Sequence, residues 1–367
     1  MKHLIKILSI VFFAVAVSHT AFAQRYLPIN TGAGYLGISP DARSSSLGNI
    51  GAATSPDATS QYWNSSKYVF ANKKIGASLS YVPWMRNVVD DMNLLYLSGY
   101  YKLDEMQAFS ASVDFMSYGE AYFRNDFSEL QRSGNINDFS IDFGYSRKLF
   151  SGFSAGVVFR YIRAASGAYQ NKVEYGNAFA VDVNAYYNTN VNILSSQDEL
   201  AFGINFSNVG TKLKGSDSND KYFLPANLRL GGRLTTVVSN DHRFSLVADI
   251  NKLMVPTPVR NSDGSINTYM NKSPLEAVLY SFGDNSFSEE LKEITWATGL
   301  EYSYLKTFSL RAGYFHETAR GGDRSFIGFG AGYRYRMVTL DLSYTVAAKN
   351  SNSTVGDIFR VSLGVNF

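Results

Sequence analysis

The sequence predicts an all-β protein, a transmembrane antiparallel β-barrel of about fourteen strands with an N-terminal plug segment. Three observations lead to this prediction. After the first twenty-odd residues, no apolar run approaches the length of a membrane helix. From Ile75 onward, stretches of about ten residues alternate apolar and polar side chains. The connections between them alternate between long and short. Strands of this kind cross a bilayer only as a closed barrel, because every backbone group must be paired in lipid.

The start of the chain predicts a secretory signal peptide. Residues 1–6 carry two lysines, residues 7–17 form a short apolar run, and Ala21 and Ala23 form a small-x-small cleavage site before Gln24. The chain contains no Cys, so neither disulfides nor thiolate chemistry are expected. The predicted division is a signal peptide at 1–23, an N-terminal plug or periplasmic segment at 24–73 and a barrel at 74–367.

Composition favours a membrane barrel and excludes a nucleic-acid-binding protein. Aromatic residues make up 15% of the chain, with 25 Tyr and 26 Phe. Such an excess is typical of strands and of the aromatic girdles at a membrane interface. The net charge is only +3 and no basic stripe is present, so nothing indicates a nucleic-acid partner. The expected surroundings are outer-membrane lipid.

The last ten residues show the alternation most clearly. Successive side chains of a strand point to opposite faces. Arg360, Ser362, Gly364 and Asn366 therefore share one face, and the other carries only large apolar side chains. The sequence predicts that the polar face lines the lumen and that the strand closes the barrel by pairing with residues 74–83. The apolar positions, predicted to face lipid, are Phe359, Val361, Leu363, Val365 and Phe367.

The same pattern predicts thirteen further strands, which makes fourteen with the last one. The predicted strands are 74–83, 93–102, 106–116, 136–147, 152–163, 177–188, 199–208, 225–237, 243–252, 293–305, 308–316, 325–336, 338–346 and 357–367. Long connections are predicted at 117–135, 164–176, 209–224, 253–292 and 347–356, and short ones at 103–105, 148–151, 305–307 and Met337. Short periplasmic turns and long external loops characterise outer-membrane barrels, and an even strand number places both barrel ends in the periplasm. The links at 189–198 and 239–243 fit this alternation less neatly.

Strand parity places a balanced set of charges on the inner face. Seven acids and seven arginines share this parity, whereas the middle of the outer face carries essentially none. Balanced charges predict ion pairs across the lumen, for which the planar guanidinium of Arg is well suited. These pairs either rigidify and fill the barrel or take part in conduction or ligand binding. The predicted lumen charges are Asp114, Asp138, Asp142, Asp182, Asp249, Glu301 and Asp341, together with Arg160, Arg229, Arg233, Arg311, Arg334, Arg336 and Arg360.

Residues 24–73 are the candidate plug. Their turn-rich composition predicts irregular structure with one short helix. A barrel of fourteen strands has a lumen between the filled and the open classes, so an inner segment is expected to occupy it. A flexible periplasmic extension is the alternative. Gly328, Gly330 and Gly332 share the inner face of one strand and predict a close approach by another chain segment. The plug candidates are Tyr35, Leu36, Pro40, Asp41, Arg43, Tyr62, Trp63 and Asn64.

Signals for catalysis are weak. After the predicted signal peptide the chain has two histidines, His242 in a predicted periplasmic turn and His316 at the external end of a strand. A membrane-barrel hydrolase would need a Ser or Asp beside His316, and the spacing places none there. Two His without Cys also make a zinc site unexpected. The sequence therefore predicts no enzyme, no metal and no cofactor.

The external loops carry apolar and aromatic side chains. The first loop and the long loop at 253–292 are the clearest cases. Such side chains predict either packing of the loops on one another over the barrel mouth or a docking surface for a protein partner. The candidates for this surface are Trp84, Met85, Met254, Val255, Met270, Leu279 and Tyr280.

Three stretches resemble the PorV family of outer-membrane barrels from the type IX secretion system of Bacteroidetes. They are residues 37–57, residues 60–68 and the Leu-Pro-Ala-Asn-Leu-Arg-Leu-Gly-Gly stretch at 224–232. The family is distantly similar to the FadL long-chain fatty acid transporters. The resemblance is specific at 37–68 and generic elsewhere. One departure is visible: the family often has Asn-Pro-Ala where this chain has Asn64, Ser65 and Ser66, which leaves the local turn geometry open.

The resemblance implies a non-enzymatic role in the outer membrane of a Gram-negative bacterium. Proteins of this family bind the C-terminal sorting domain of secreted cargo at a translocon barrel subunit and carry it to a surface sortase. The alternative function is a FadL-like transporter of hydrophobic small molecules. The predicted charges in the lumen count against that alternative, because an acyl chain would have to pass them.

Overall fold

The fold is known from a computed structural model that describes residues 27, 29–86, 91–124, 130–169, 172–214, 221–239, 241–260, 265–318, 321–348 and 357–367. The predicted signal peptide at 1–23 lies outside the described residues. Fourteen antiparallel strands close into a barrel in which each strand pairs with its neighbours in sequence and the last pairs with the first. The predicted fold class is therefore confirmed, including the number of strands.

The strands are numbered in chain order. They are β1 (Ile75–Pro83), β2 (Asn93–Lys102), β3 (Gln107–Arg124), β4 (Leu130–Phe150), β5 (Phe153–Tyr169), β6 (Lys172–Val191), β7 (Asp198–Gly210), β8 (Asn227–Ser239), β9 (His242–Leu253), β10 (Ile294–Tyr304), β11 (Phe308–His316), β12 (Ser325–Tyr335), β13 (Val338–Ala347) and β14 (Ile358–Asn366). The closing pair is β1 with β14, in a register that sets Leu79 opposite Leu363. Closure leaves no free sheet edge, which is the condition for strands in lipid.

The two faces of the barrel follow the predicted parity. On β14, Phe359 is 45% exposed and Leu363 50% exposed, whereas the intervening Arg360 is 2% exposed. Exposed apolar side chains recur on the outer face of every strand, because lipid rather than water surrounds them. The inner face is polar and buried, which requires an inner partner for its hydrogen-bonding groups.

Strands β3 to β6 are longer than predicted. The sequence predicts loops at 117–135 and 164–176, but much of both stretches continues the β3–β4 and β5–β6 hairpins. The prediction of loops there is wrong for a physical reason. Above the membrane both faces of a hairpin are in water, so the strand loses its apolar–polar alternation while its backbone pairing continues.

The connections keep the predicted asymmetry. At one end they are short, and the β4–β5 and β12–β13 turns have only two residues each between strands. Arg336 lies in the second of these turns with φ 53°, so its predicted place on the inner face is wrong. The long connections at the other end include two two-stranded ribbons and the helices α3 (Pro274–Tyr280) and α4 (Phe287–Leu291), which follow α1 (Ala42–Ser46) and α2 (Ser60–Trp63). Among the described residues, no helix is long and apolar enough to cross a bilayer.

Residues 29–71, here called the plug, lie inside the barrel. Near its start, Gly32 donates a backbone hydrogen bond to Phe223 in the long β7–β8 connection, at 2.8 Å. Near its end, Ala71 accepts one from Lys102 Nζ at the short-turn end of β2, at 3.0 Å. The plug therefore runs the length of the lumen, entering at the long-loop end. The barrel ends lie together at the opposite end, where Lys74 donates to Phe367.

Inner-face glycines allow the plug to approach the wall. A Cβ atom on Gly313 would stand 2.0 Å from the carbonyl carbon of Leu47, and one on Gly328 would stand 2.5 Å from the carbonyl oxygen of Ser45. Gly330 faces Ser46 in the same way, whereas a Cβ on Gly332 would meet Asp341 and Arg311 of the wall itself. The predicted glycine strip is therefore a contact surface for helix α1 at Gly328 and Gly330.

Replacing Gly313 by Ala should loosen the plug. The added methyl group has no room beside Leu47, so we expect a loss of about 1–3 kcal/mol in the free energy of unfolding. Gly364→Ala is the matched control, since a Cβ there meets only an ordinary contact at 3.6 Å. The measurement is guanidinium unfolding in detergent micelles. Equal stability of the two variants would contradict the close contact.

Candidate functional site

Two ion clusters line the inner wall. Arg160 on β5 lies between Asp142 on β4, at 2.9 Å, and Asp182 on β6, at 3.1 Å. Arg311 on β11 lies between Glu301 on β10, at 2.6 Å, and Asp341 on β13, at 2.7 Å. In the first cluster the guanidinium bridges carboxylates on both adjacent strands, and in the second it bridges the adjacent β10 and, across β12, β13. Each cluster fixes the register of part of the wall, because a planar fork binds two acids only in one arrangement.

The plug joins the second cluster through Arg43. Its guanidinium donates to both carboxylate oxygens of Glu301, each at 3.1 Å, and to Asp57 of the plug at 2.7 Å. Arg43 and Arg311 thus share one carboxylate. Charge-assisted bonds in a water-poor lumen are strong, and breaking one leaves a buried charge without compensation.

Other wall charges hold the plug backbone. Asp249 accepts from the amide groups of Gly51 and Ala52 at 2.9 and 3.1 Å. Arg233 donates to the carbonyl of Ala53 at 3.0 Å and pairs with Glu199, an inner-face carboxylate that the sequence analysis missed. The backbone of the plug has little regular structure, so the wall satisfies its hydrogen-bonding groups instead.

Asp41 and Trp63 lock the plug onto itself. The Asp41 carboxylate caps helix α1 by accepting from the Ser44 amide at 2.8 Å, and it accepts from Trp63 Nε1 at 2.6 Å. The Lys67 ammonium donates to the Gly51 carbonyl at 2.7 Å. Both side chains therefore hold a compact inner segment together.

Asn64 fixes the turn that the sequence left open. Its side chain accepts from the Ser66 amide at 3.2 Å and donates to the carbonyls of Ala52 and Ala185 at 3.0 and 2.9 Å. It therefore caps the following 3₁₀ helix at Ser65–Phe70 and ties the turn to β6. A side-chain cap of this kind fixes a turn at the start of a helix.

The remaining predicted plug residues are placed at the external half of the lumen. Tyr35 and Leu36 belong to a buried cluster with wall residues such as Tyr96 and Met116. Tyr62 packs against that cluster and donates its hydroxyl to the Leu36 carbonyl at 2.8 Å. Pro40 is buried directly before Asp41.

Four of the predicted lumen charges that keep inner-face parity form no ion pair among the described residues, and a fifth, Arg229, pairs outside the two clusters. Asp138 accepts from the Tyr118 hydroxyl at 2.9 Å, and the oxygens of Asp114 have no hydrogen-bond partner among the described residues. Arg334 keeps its inner-face parity but is exposed near the short-turn end. Arg360 is buried and has no ion pair within the described part of the chain. Arg229 pairs with Asp249 at 3.3 Å and stacks on Trp63, 4.6 Å from its ring centroid.

The predicted external-loop residues divide into buried and exposed. Met254 and Val255 are buried, so the prediction that they form a surface is wrong. They pack inward because the loop folds over the barrel mouth, where Val255 joins Phe223 and Ala277 with Met270 against them. Trp84 packs on the cluster around Tyr35, and Met85 is half-buried with φ 49°. Leu279 and Tyr280 are exposed.

Three exposed apolar residues of the external helices were not among the predicted surface residues. Leu275, Phe287 and Leu291 are 67%, 78% and 50% exposed on helices α3 and α4. Helix α3 begins with a capping box between Ser273 and Glu276, followed by Pro274. That start signal was readable in the sequence and places Leu275 and Leu279 one turn apart on one helix face.

His316 has a serine neighbour that spacing alone did not place. Its Nδ1 lies 3.0 Å from Ser325 Oγ on β12, because the two residues are cross-strand partners. The expectation that no serine stands beside it is wrong. Both side chains have outward parity, and the imidazole packs near the Trp296 ring, 5.5 Å between centroids, as part of an interfacial aromatic group.

An acidic group lies beneath helix α4. Ligand oxygens of Asp284, Glu290 and Glu293 lie within 4.8 Å of one another. Lys252 already occupies this group, with its ammonium 2.7 Å from Glu290 and 2.5 Å from Glu293. Burial and the neighbouring carboxylates raise the pKa of Asp284 to about 6. The arrangement fastens the long loop to the top of β9.

Comparison with solved structures defines the class of protein. The barrel is similar to the Pseudomonas putida toluene transporter TodX, with a TM-score of 0.54, 13% identity, and coverage of 89% of this chain and 98% of TodX. It is also similar to CymD, a monoaromatic hydrocarbon channel, with a TM-score of 0.51, 12% identity, and coverage of 89% and 97%. At these identities the likeness concerns the fold alone. None of the curated protein sequences compared with the chain matches it. The class is a closed fourteen-stranded β-barrel with the fold of TodX and CymD.

The family follows from the sequence. Residues 20–260 match the family model described as type IX secretion system protein PorV. The chain belongs to this family, as its resemblance at 37–68 predicts, and is an outer-membrane component of the type IX secretion system of a Gram-negative bacterium.

Removing the carboxylate shared by Arg43 and Arg311 should detach the plug from the wall. We expect Glu301→Gln to lower the free energy of unfolding by roughly 2–3 kcal/mol, because two guanidinium groups lose their common anion. The measurement is guanidinium unfolding, with protease sensitivity of the plug as a second readout.

Glu105→Gln is the matched control for Glu301→Gln. Glu105 is an acid whose side chain is 91% exposed and pairs with Lys102 at 3.3 Å, so its loss should change stability by about 0.5 kcal/mol or less. An equally small effect at Glu301 would show that the ion cluster does not hold the plug.

Proposed function

We propose that this chain binds the C-terminal sorting domain of secreted cargo at the translocon barrel subunit and carries it to the surface sortase. The observation that carries the proposal is the match of residues 20–260 to a family of type IX secretion proteins. Cargo recognition then falls to the parts of the barrel that face the cell exterior.

The external loop between β9 and β10 supports a docking role. Its helices α3 and α4 present Leu275, Leu279, Phe287 and Leu291 to solvent, and each is at least half exposed. The acidic group with Lys252 and the capping box of α3 hold these helices in place. Apolar side chains on a rigid external surface are typical of protein interfaces, because their burial on binding is favourable and little order is lost.

The alternative is a FadL-like transporter of hydrophobic small molecules, and the lumen argues against it. The plug is bonded to the wall on several sides, through Arg43 to β10, Asp249 to β9, Arg233 to β8 and Asn64 to β6. A hydrophobic compound would have to pass these bonds and the two ion clusters, where desolvation is costly.

Crosslinking in intact cells, followed by identification of the bound proteins, tests the proposal. We expect recovery of a translocon subunit, of cargo with C-terminal sorting domains and of the sortase. A strain without this chain should retain such cargo in the periplasm. Normal surface display in that strain would contradict the shuttle function, and a loss of hydrocarbon or fatty-acid uptake would favour the transporter.

Polar substitutions on the external helices should weaken cargo capture. We expect Leu279→Ser combined with Phe287→Ser to reduce crosslinked cargo about tenfold or more, since two exposed apolar side chains lose the area they would bury. Leu194→Ser is the control, an exposed leucine on the β6–β7 turn at the opposite end of the barrel. An equal effect of the control would point to a folding defect.

A further inference from the structure

A cavity of about 500 Å³ lies between the plug and the external loops. Its floor is the plug, at Leu36, Ser39 and Trp63, and its walls are the external halves of the strands around β7 to β14. Its size falls within the range of ligand-binding cavities. We call it the vestibule.

Arg360 is a vestibule cation without a direct ion pair among the described residues. Its side chain is 2% exposed, and its only bonds there are to the Ser39 carbonyl at 3.3 Å and Thr345 Oγ1 at 3.4 Å. Both are long, and neither partner is charged. Asp41 of the plug acts on Arg360 by its charge but does not bond to it, since its oxygens accept from Trp63 and Ser44. A buried guanidinium with no bonded anion is costly, so folds keep one mainly where it has a use.

Arg229 is a second vestibule cation, and its one ion pair is to Asp249. The Asp249 oxygen that it contacts at 3.3 Å also accepts from the amides of Gly51 and Ala52. The carboxylates of the vestibule do not compensate, since Glu293 is paired with Lys252 and Glu317 with Arg324. The fourth cation, Arg160, is neutralised by two aspartates. Among the vestibule guanidinium groups, Arg360 is thus the one with no direct ion pair in the described part of the chain, and Arg229 has one ion pair, at 3.3 Å.

The vestibule is also rich in side-chain amides. Asn49, Asn205 and Asn251 line it, and the amide oxygen of each has no hydrogen-bond partner among the described residues. Ser39 Oγ also has no hydrogen-bond partner among the described residues, and Asn205 and Ser39 are each more than nine-tenths buried. Buried polar atoms normally have partners, so four orphaned ones in one cavity indicate a ligand with its own hydrogen-bond donors.

Aromatic side chains complete the lining. Tyr62, Trp63 and Trp84 face the vestibule beside Phe315 and Phe326. They provide contact area for apolar side chains between the polar groups. The vestibule thus combines two guanidinium groups, amide oxygens without partners and aromatic surface. This combination matches a polypeptide end, which has a carboxylate, a row of N–H donors and side chains.

We propose that the vestibule binds the carboxyl-terminal end of a polypeptide, with the terminal carboxylate between Arg360 and Arg229 and the last peptide N–H groups on the asparagine oxygens. A fatty acid would satisfy the arginines but leave the asparagine oxygens unpaired. The inference rests on the proposed function, because the chain end is that of the cargo sorting domain. It adds to the docking surface a second site, which recognises the C-terminus of the cargo.

The test uses the purified full chain in detergent and the sorting domain of a cargo protein crosslinked to it in cells. This domain is prepared with a free C-terminal carboxylate and, separately, as its C-terminal amide. We expect the amide to bind the wild-type barrel about tenfold more weakly or worse, because a charge-assisted pair is lost. Arg360→Gln should bind the free carboxylate more weakly than the wild type does, and its preference for the acid over the amide should shrink. This acid–amide comparison on the wild-type chain stands even where the variant does not fold.

Two further readouts separate recognition from structure. Arg334→Gln, an inner-face arginine at the short-turn end, should keep the preference for the free carboxylate. Arg360→Gln should not lower the melting temperature, since it removes a buried charge that has no bonded anion among the described residues. Equal affinity of acid and amide for the wild type would overturn the inference and leave the proposed function standing. No binding of either form would overturn both.

Discussion

The polar inner face of the barrel is the constraint on which the rest of the structure depends. Fourteen strands that turn their apolar side chains to lipid must turn their polar ones inward, and the lumen is too wide for these to satisfy one another across it. The plug solves this problem. Its irregular backbone offers carbonyl and amide groups to Asp249, Arg229 and Arg233, and its Arg43 completes the ion cluster of Glu301 and Arg311. Wall and plug are each incomplete without the other.

Because the plug is bonded along its length, the two ends of the lumen differ. Toward the short turns, wall serines such as Ser146 and Ser154 hold the 3₁₀ helix at Ser65–Phe70, and the packing is tight. Toward the long loops the vestibule begins. The proposed docking of cargo at the outer mouth requires no open passage, so this arrangement is compatible with it.

Several buried polar groups without partners among the described residues lie in that outer half. Arg360, which has no direct ion pair there, and the amide oxygens of Asn205 and Asn251 all line the vestibule. The exposed leucines of helix α3 stand above the membrane on the same side. Where propensity, packing and polar satisfaction agree, a region serves the fold, and the unpaired groups around the vestibule are those that the proposed peptide end would engage.

The sequence by itself determined the barrel, its fourteen strands, the lipid-facing and lumen-facing sides and the family, because period-two alternation is a local property of each strand. It also placed Arg160, Arg311 and Glu301 on the inner wall. Only the tertiary structure decided which charges pair, that Glu199 joins them, that Arg336 lies in a turn and that Met254 and Val255 are buried. It also decided that Arg360 has no direct ion pair among the described residues. Such outcomes depend on shear and on the path of the plug, which bring together residues up to 321 positions apart, and no local pattern encodes that distance.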